Sequence, residues 1–258
     1  MVQKLGWFQT TFAMASRTCR EVVERVPSTR VVLTEEELQE VQLTAETWTN
    51  EPTLLANAVV EGDVEAMEWL IQLSDAAIDE QYNWRHDREV GGRVTSNWVN
   101  LLGWLAAKHG KIESLMCLRA NRFPCDHDAC SGAARGGNLG VLQWARQNGC
   151  PRNEDTCYYA ALGGHLKVLQ WARQNGCPWN EWTCAGAAEY GHLEMLKWAR
   201  ENGCPWDEET CWQAAGGGHL EVLRWARENG CPWDEKTWRS ARSNCRRYLI
   251  EHGCPGAR

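Results

Sequence analysis

The apolar positions in the second half of this chain fall into two short helical registers that alternate and then return. In the stretch Glu201 to Arg227, Cys211, Ala214 and Ala215 stand at i, i+3 and i+4, the spacing of one helix face. Leu220, Val222, Leu223, Trp225 and Ala226 then alternate with Glu221, Arg224, Arg227 and Glu228 at helical spacing. The first register predicts a short helix capped by Thr210 and stopped by Gly216, Gly217 and Gly218. The second predicts an amphipathic helix of about three turns. It is closed by Asn229-Gly230, with Pro232 two residues on.

The pair recurs every 27 residues: 174–200, 147–173 and, more loosely, 120–146 repeat the pattern of 201–227. Self-similarity at a fixed period of this length marks a solenoid. A lone pair cannot bury its apolar faces, so neighbouring pairs must stack into one continuous core. The expected fold is all-α, a solenoid of stacked antiparallel helix pairs.

The run from Ala214 to Leu223, matched at Ala187 to Leu196 and Ala160 to Leu169, resembles the inner helix, turn and outer helix of the ankyrin repeat. That family's unit has about 33 residues. Here the residues missing relative to it fall between outer and next inner helix, where the family has a β-hairpin finger, so the loops or hairpins are shortened. The family's Thr-Pro-Leu-His is replaced by Thr210-Cys211, Thr183-Cys184 and Thr156-Cys157. The resemblance spans roughly residues 50 to 255 and implies a protein-binding surface lined by inner helices and loops on a concave face. It also implies that His165, His192 and His219 tie down the turn between helices.

Residues 1–48 do not fit the repeat. Phe12 to Val23, with Ser16, Arg20 and Val23 in an apolar stripe, resembles the closing helix of an F-box, which implies recruitment of a ubiquitin-ligase adaptor. The same segment also reads as a helical cap on the first apolar face, joined by an acidic linker around Glu35, Glu36, Glu37 and Glu40. The array proper occupies 49–258. Its first pair is Thr53 to Leu73 and its second Val99 to Ala120, with an insertion near 74–97 that carries Trp84 and Arg85. Insertions in repeat arrays map to loops on one face, often the binding face. A final unit, 237–258, places Arg239, Arg242, Arg246 and Arg247 at small or apolar positions and reads as a polar capping repeat.

Net charge is −7 with both signs interspersed, which argues against a nucleic-acid partner. No apolar run approaches the ~18 residues of a membrane span. The thirteen cysteines recur at repeat positions, Cys150, Cys177, Cys204 and Cys231 in one ladder, Cys130, Cys157, Cys184 and Cys211 in another. Packed helices lie about 8–10 Å apart, beyond the reach of a disulfide, so ladder neighbours are expected to stay unbonded, small buried thiols in a reducing compartment. Cys204 and Cys211 are also spaced too widely for common zinc knuckles. The three repeat histidines are separated in the same way, and no catalytic or phosphate-binding motif is present.

Trp144, Trp171, Trp198 and Trp225 share one outer-helix position and read as inter-repeat core, while Trp179, Trp206 and Trp233 follow the loop proline and cover helix ends. What differs between copies is free to serve a partner. The varied inner-helix and loop positions give Tyr158, Tyr159, Trp182, Tyr190, Trp212 and Arg135 as candidate contacts, joined by Trp84 and Arg85 of the insertion. The expectation is a monomeric, non-catalytic interaction scaffold, without cofactor or metal, that binds another protein in the cytoplasm or nucleus. A substrate receptor of an F-box-type ubiquitin ligase is the alternative, and a zinc- or thiol-dependent protein the third.

Overall fold

A computed structural model of the protein describes residues 51–77 and 95–257. The F-box-like segment, the acidic linker, Trp84 and Arg85 lie outside them. The described residues form antiparallel helix pairs: α1 Glu51–Glu61 with α2 Val64–Ala77, α3 Thr95–Lys108 with α4 Ile112–Ala120, and α5 His127–Arg135 with α6 Leu139–Gln147. Next come α7 Glu154–Leu162 with α8 Leu166–Gln174, α9 Glu181–Glu189 with α10 Leu193–Glu201, and α11 Glu208–Gly217 with α12 Leu220–Glu228. A short pair, α13 Glu235–Ser240 and α14 Ser243–Glu251, ends the stack. Among the described residues the loops contain no strand. Helix also runs through both ends of the expected insertion, since α2 continues to Ala77 and α3 begins at Thr95.

Each inner helix starts one turn earlier than Thr210 predicts. Asp207 is the N-cap of α11, its carboxylate accepting the Glu209 N–H at 3.1 Å, while Thr210 is fully buried in the first turn. The same Asx-x-x-Thr order opens α13, where Asp234 accepts the Thr237 N–H and the Thr237 hydroxyl accepts the Asp234 N–H. The acid is the better cap because its oxygen meets orphan N–H groups at the positive end of the helix dipole. Helix α11 then runs through Gly216 and Gly217, and only Gly218, at φ +79°, makes the left-handed stop. At the outer helix end, Gly230 at φ +86° closes the turn as expected.

Two rows of different residue size build the core. The inner row is small: Ala133, Ala134, Ala160, Ala161, Ala187, Ala188, Ala214 and Ala215 are all fully buried. The outer row contributes Leu142, Leu169, Leu196 and Leu223, also fully buried, each worth about 1.5–3 kcal/mol of burial. Inner helices approach backbone to backbone, so that a Cβ at Gly132, Gly136 or Gly217 would collide with the carbonyl of Trp104, Lys108 or Glu189. Inner helices from α3 to α13 pack successively on one another, each closing on the next through these small residues. Bulky side chains hold the outer row further apart.

Two expectations about the core are corrected. The outer-helix tryptophans are half-buried at its edge, with Trp198 edge-on to Trp179 and Trp225 edge-on to Trp206 at 6.0 and 5.9 Å. Nor are the cysteines all free: Cys125 and Cys150 form a disulfide, with Cα atoms 5.2 Å apart. Cys125 stands outside both ladders, one residue after a loop proline, and from there it reaches the ladder cysteine of the next unit. The other ten described cysteines are free and buried.

Candidate functional site

The solvent-facing side of the inner row carries the positions that vary between units. Second in each inner helix come Asp128, Asp155, Trp182, Glu209 and Lys236. Trp182 is exposed, at 48% of its surface, because the position lies beside the buried Thr183 and Cys184 but points away from them. Tyr190, the C-cap of α9, is 45% exposed and occupies a position that is glycine in the neighbouring units. Tyr158, Tyr159, Trp212 and Arg135 are half-buried.

The structure brings four of these residues into one cluster. The Arg135 guanidinium lies 5.4 Å from the Tyr190 ring centroid, two units away, which it reaches because Gly163 leaves the intervening unit bare at that point. Tyr158 packs edge-on to Tyr159 at 5.1 Å, and its ring fills the space beside Gly186, where a Cβ would stand 3.1 Å from it. Burial, with Glu189 and the neighbouring tyrosines adding to it, pushes the Tyr158 hydroxyl above its ordinary range. Glu189 is raised by burial and held back by Arg135. Trp212 stands apart, with Lys236 of the next unit 6.0 Å from its ring.

Sequence reasoning missed the polar ties between units. The carbonyl of Arg135 accepts from, or lies against, His165 Nε2 at 3.2 Å, and His192 reaches the Leu162 backbone in the same way. One unit earlier Asn138 donates to the carbonyls of Ala107 and Lys108 at 2.9 and 2.7 Å. The repeat histidine therefore ties its own turn to the turn of the preceding unit. It was legible as a repeated polar residue, but its acceptor is set by stacking. Also unforeseen, Arg173, Arg200 and Arg227 lie over Trp179, Trp206 and Trp233 at 3.9, 4.1 and 4.0 Å.

The thiols of the inner-helix ladder are buried. Burial pushes Cys130 up to about 11 and Cys157 up to about 12, and the adjoining Cys204 thiol together with burial pushes Cys184 higher still. At neutral pH such groups are thiols, not thiolates. Among the described residues no three His, Cys, Asp or Glu side chains converge as a metal site, and no helix is long and apolar enough to cross a membrane. An open groove of ≈ 450 Å³ lies between α8 and α10, lined by Gln170, Arg173, Gln174, Trp179, Trp198 and Asn202, with no acid or base pair in it.

No family model matches the chain, and no curated protein matches it. Among solved structures it is similar to the human ASB11 ankyrin repeat domain, with a TM-score of 0.47 and 15% identity, over 69% of this chain and 84% of that one.

Proposed function

We propose that the protein is a non-catalytic interaction scaffold that docks a protein partner on the surface of its inner helices. One observation carries this reading: Trp182 and Tyr190, large aromatics at positions that differ between units, stand exposed at the two ends of α9, while the alanines and leucines that the units share are buried. Large aromatics left in water cost solubility, and they dominate interface energetics. A stack whose units are tied by backbone contacts and side-chain hydrogen bonds loses little conformational entropy on docking, so its binding energy is retained as affinity.

The test is affinity capture from native cell extract with mass spectrometry, comparing the full chain with a chain beginning at Asn50. A partner retained by both and lost on substitution of Tyr159, Tyr190 or Trp212 by Ala supports the scaffold. Ligase-adaptor subunits captured by the full chain alone would give residues 1–30 a recruiting role and make the array a substrate receptor. Capture that ignores every inner-helix substitution would overturn the reading.

A further inference from the structure

Trp182 is the one tryptophan that stands exposed among residues whose side chains are described. Its indole makes no ring or cation contact within the described residues, while every loop tryptophan from Trp179 to Trp233 lies under an arginine. The second position of a helix favours an acid, which complements the helix dipole. Asp128, Asp155 and Glu209 follow that preference in neighbouring units, and Trp182 departs from it. An unpartnered indole face is therefore set between carboxylates, Asp155 on one side along the stack and Glu209 on the other.

Those carboxylates crowd one another across unit boundaries. Asp128 is raised by burial and by Asp126 and Asp155 against the adjoining His127, and Glu209 by burial and by Asp207 and Asp234 against Gln213 and Lys236. Within this row a cation first appears at Lys236, next to Trp212. Among the described residues no lysine or arginine lies over the Trp182 ring, and a cationic group there would meet both the ring face and the carboxylates.

We propose that this row docks an extended, basic segment of a partner protein, with a lysine or arginine over Trp182 between Asp155 and Glu209. The proposal rests on the scaffold reading above and specifies its partner. Spacing adds a register. Packed helices stand about 8–10 Å apart, and an extended chain rises about 3.3 Å per residue, so cationic residues at every third position meet successive units. Lys236 ends the row by repelling a further cation.

The experiment is fluorescence anisotropy with the full chain and three labelled alanine-based peptides: lysine at every third position, the same lysines in one block, and glutamate at every third position. The spaced lysine peptide is expected to bind best, more weakly as salt rises. Trp182→Ala should weaken it roughly three- to tenfold, and Trp182→Phe should restore part of the loss. The pair Asp155→Asn with Glu209→Gln should weaken it by a similar factor, with an unchanged melting curve showing that the fold survives. Equal binding of the glutamate peptide, or variants that bind as the parent does, overturns the proposal, and equal binding of the block peptide overturns its register. Self-association abolished by Trp182→Ala would make a second copy the occupant and also overturn it. If lysine peptides fail while a captured partner is still released by Tyr190→Ala or Trp212→Ala, the basic-segment proposal falls and the scaffold stands. If neither responds, both fall.

Discussion

The junction between units 120–146 and 147–173 and the junctions that follow it solve one packing problem in two ways. At the next junction Arg152 follows the loop proline and donates to the Gly176 carbonyl at 3.2 Å; in the later ones the ladder thiols of Cys204 and Cys231 donate to the carbonyls of Asn180 and Asp207, at 3.4 and 3.3 Å, and the residues after Pro178 and Pro205 are tryptophans under an arginine. In the earlier junction Cys125 stands where that tryptophan would be, and Cys150 bonds to it instead of to a carbonyl. A single loop residue converts a stacked, water-bounded contact into a covalent one. Units alike in fold therefore differ in what chemistry holds them together.

The comparison is broken or sharpened by four measurements. The largest effect should come from the shared core and be equal in both regions: Leu142→Ala and Leu196→Ala, both fully buried, are each expected to cost about 2–5 kcal/mol in urea unfolding. A much smaller loss for Leu142 would mean that the covalent junction carries its region without the core. Next comes reduction. A disulfide closing 25 residues is worth about 3 kcal/mol, so dithiothreitol should lower the unfolding midpoint of the parent chain and leave Cys125→Ser with Cys150→Ser unchanged. A reductant-insensitive parent would remove the contrast.

Trp206→Ala, which removes a half-buried ring stacked beneath Arg200, is expected to cost about 1–2 kcal/mol, with a loss that does not depend on reductant. The smallest effect is on pH. Burial lowers His192 below its ordinary value of 6.5, so the unfolded chain takes up the proton first as pH falls. Stability contributed by neutral His192 is complete above 6.5 and is lost as pH falls toward the folded value. His192→Asn copies Asn138 of the earlier unit and should flatten that part of the pH profile in thermal melts.

The sequence by itself determined the period, the helix pairs and the buried faces. Cys211, Ala214, Ala215, Val222, Leu223 and Ala226 were legible as core because burial on a helix follows from spacing along one chain, and all six are buried. The glycine turns at Gly218 and Gly230 were legible for the same local reason. Thr210 was misplaced by one turn because Asp207 and Thr210 are both plausible caps, and only the burial of the threonine decides between them. The tertiary structure alone decided which residues of different units meet. Arg135 reaches Tyr190 because a glycine stands between them, Cys125 reaches Cys150 across a unit boundary, and His165 finds a carbonyl in the preceding turn. These contacts depend on how closely alanine- and glycine-lined helices approach, a distance set by the whole stack and absent from any single repeat.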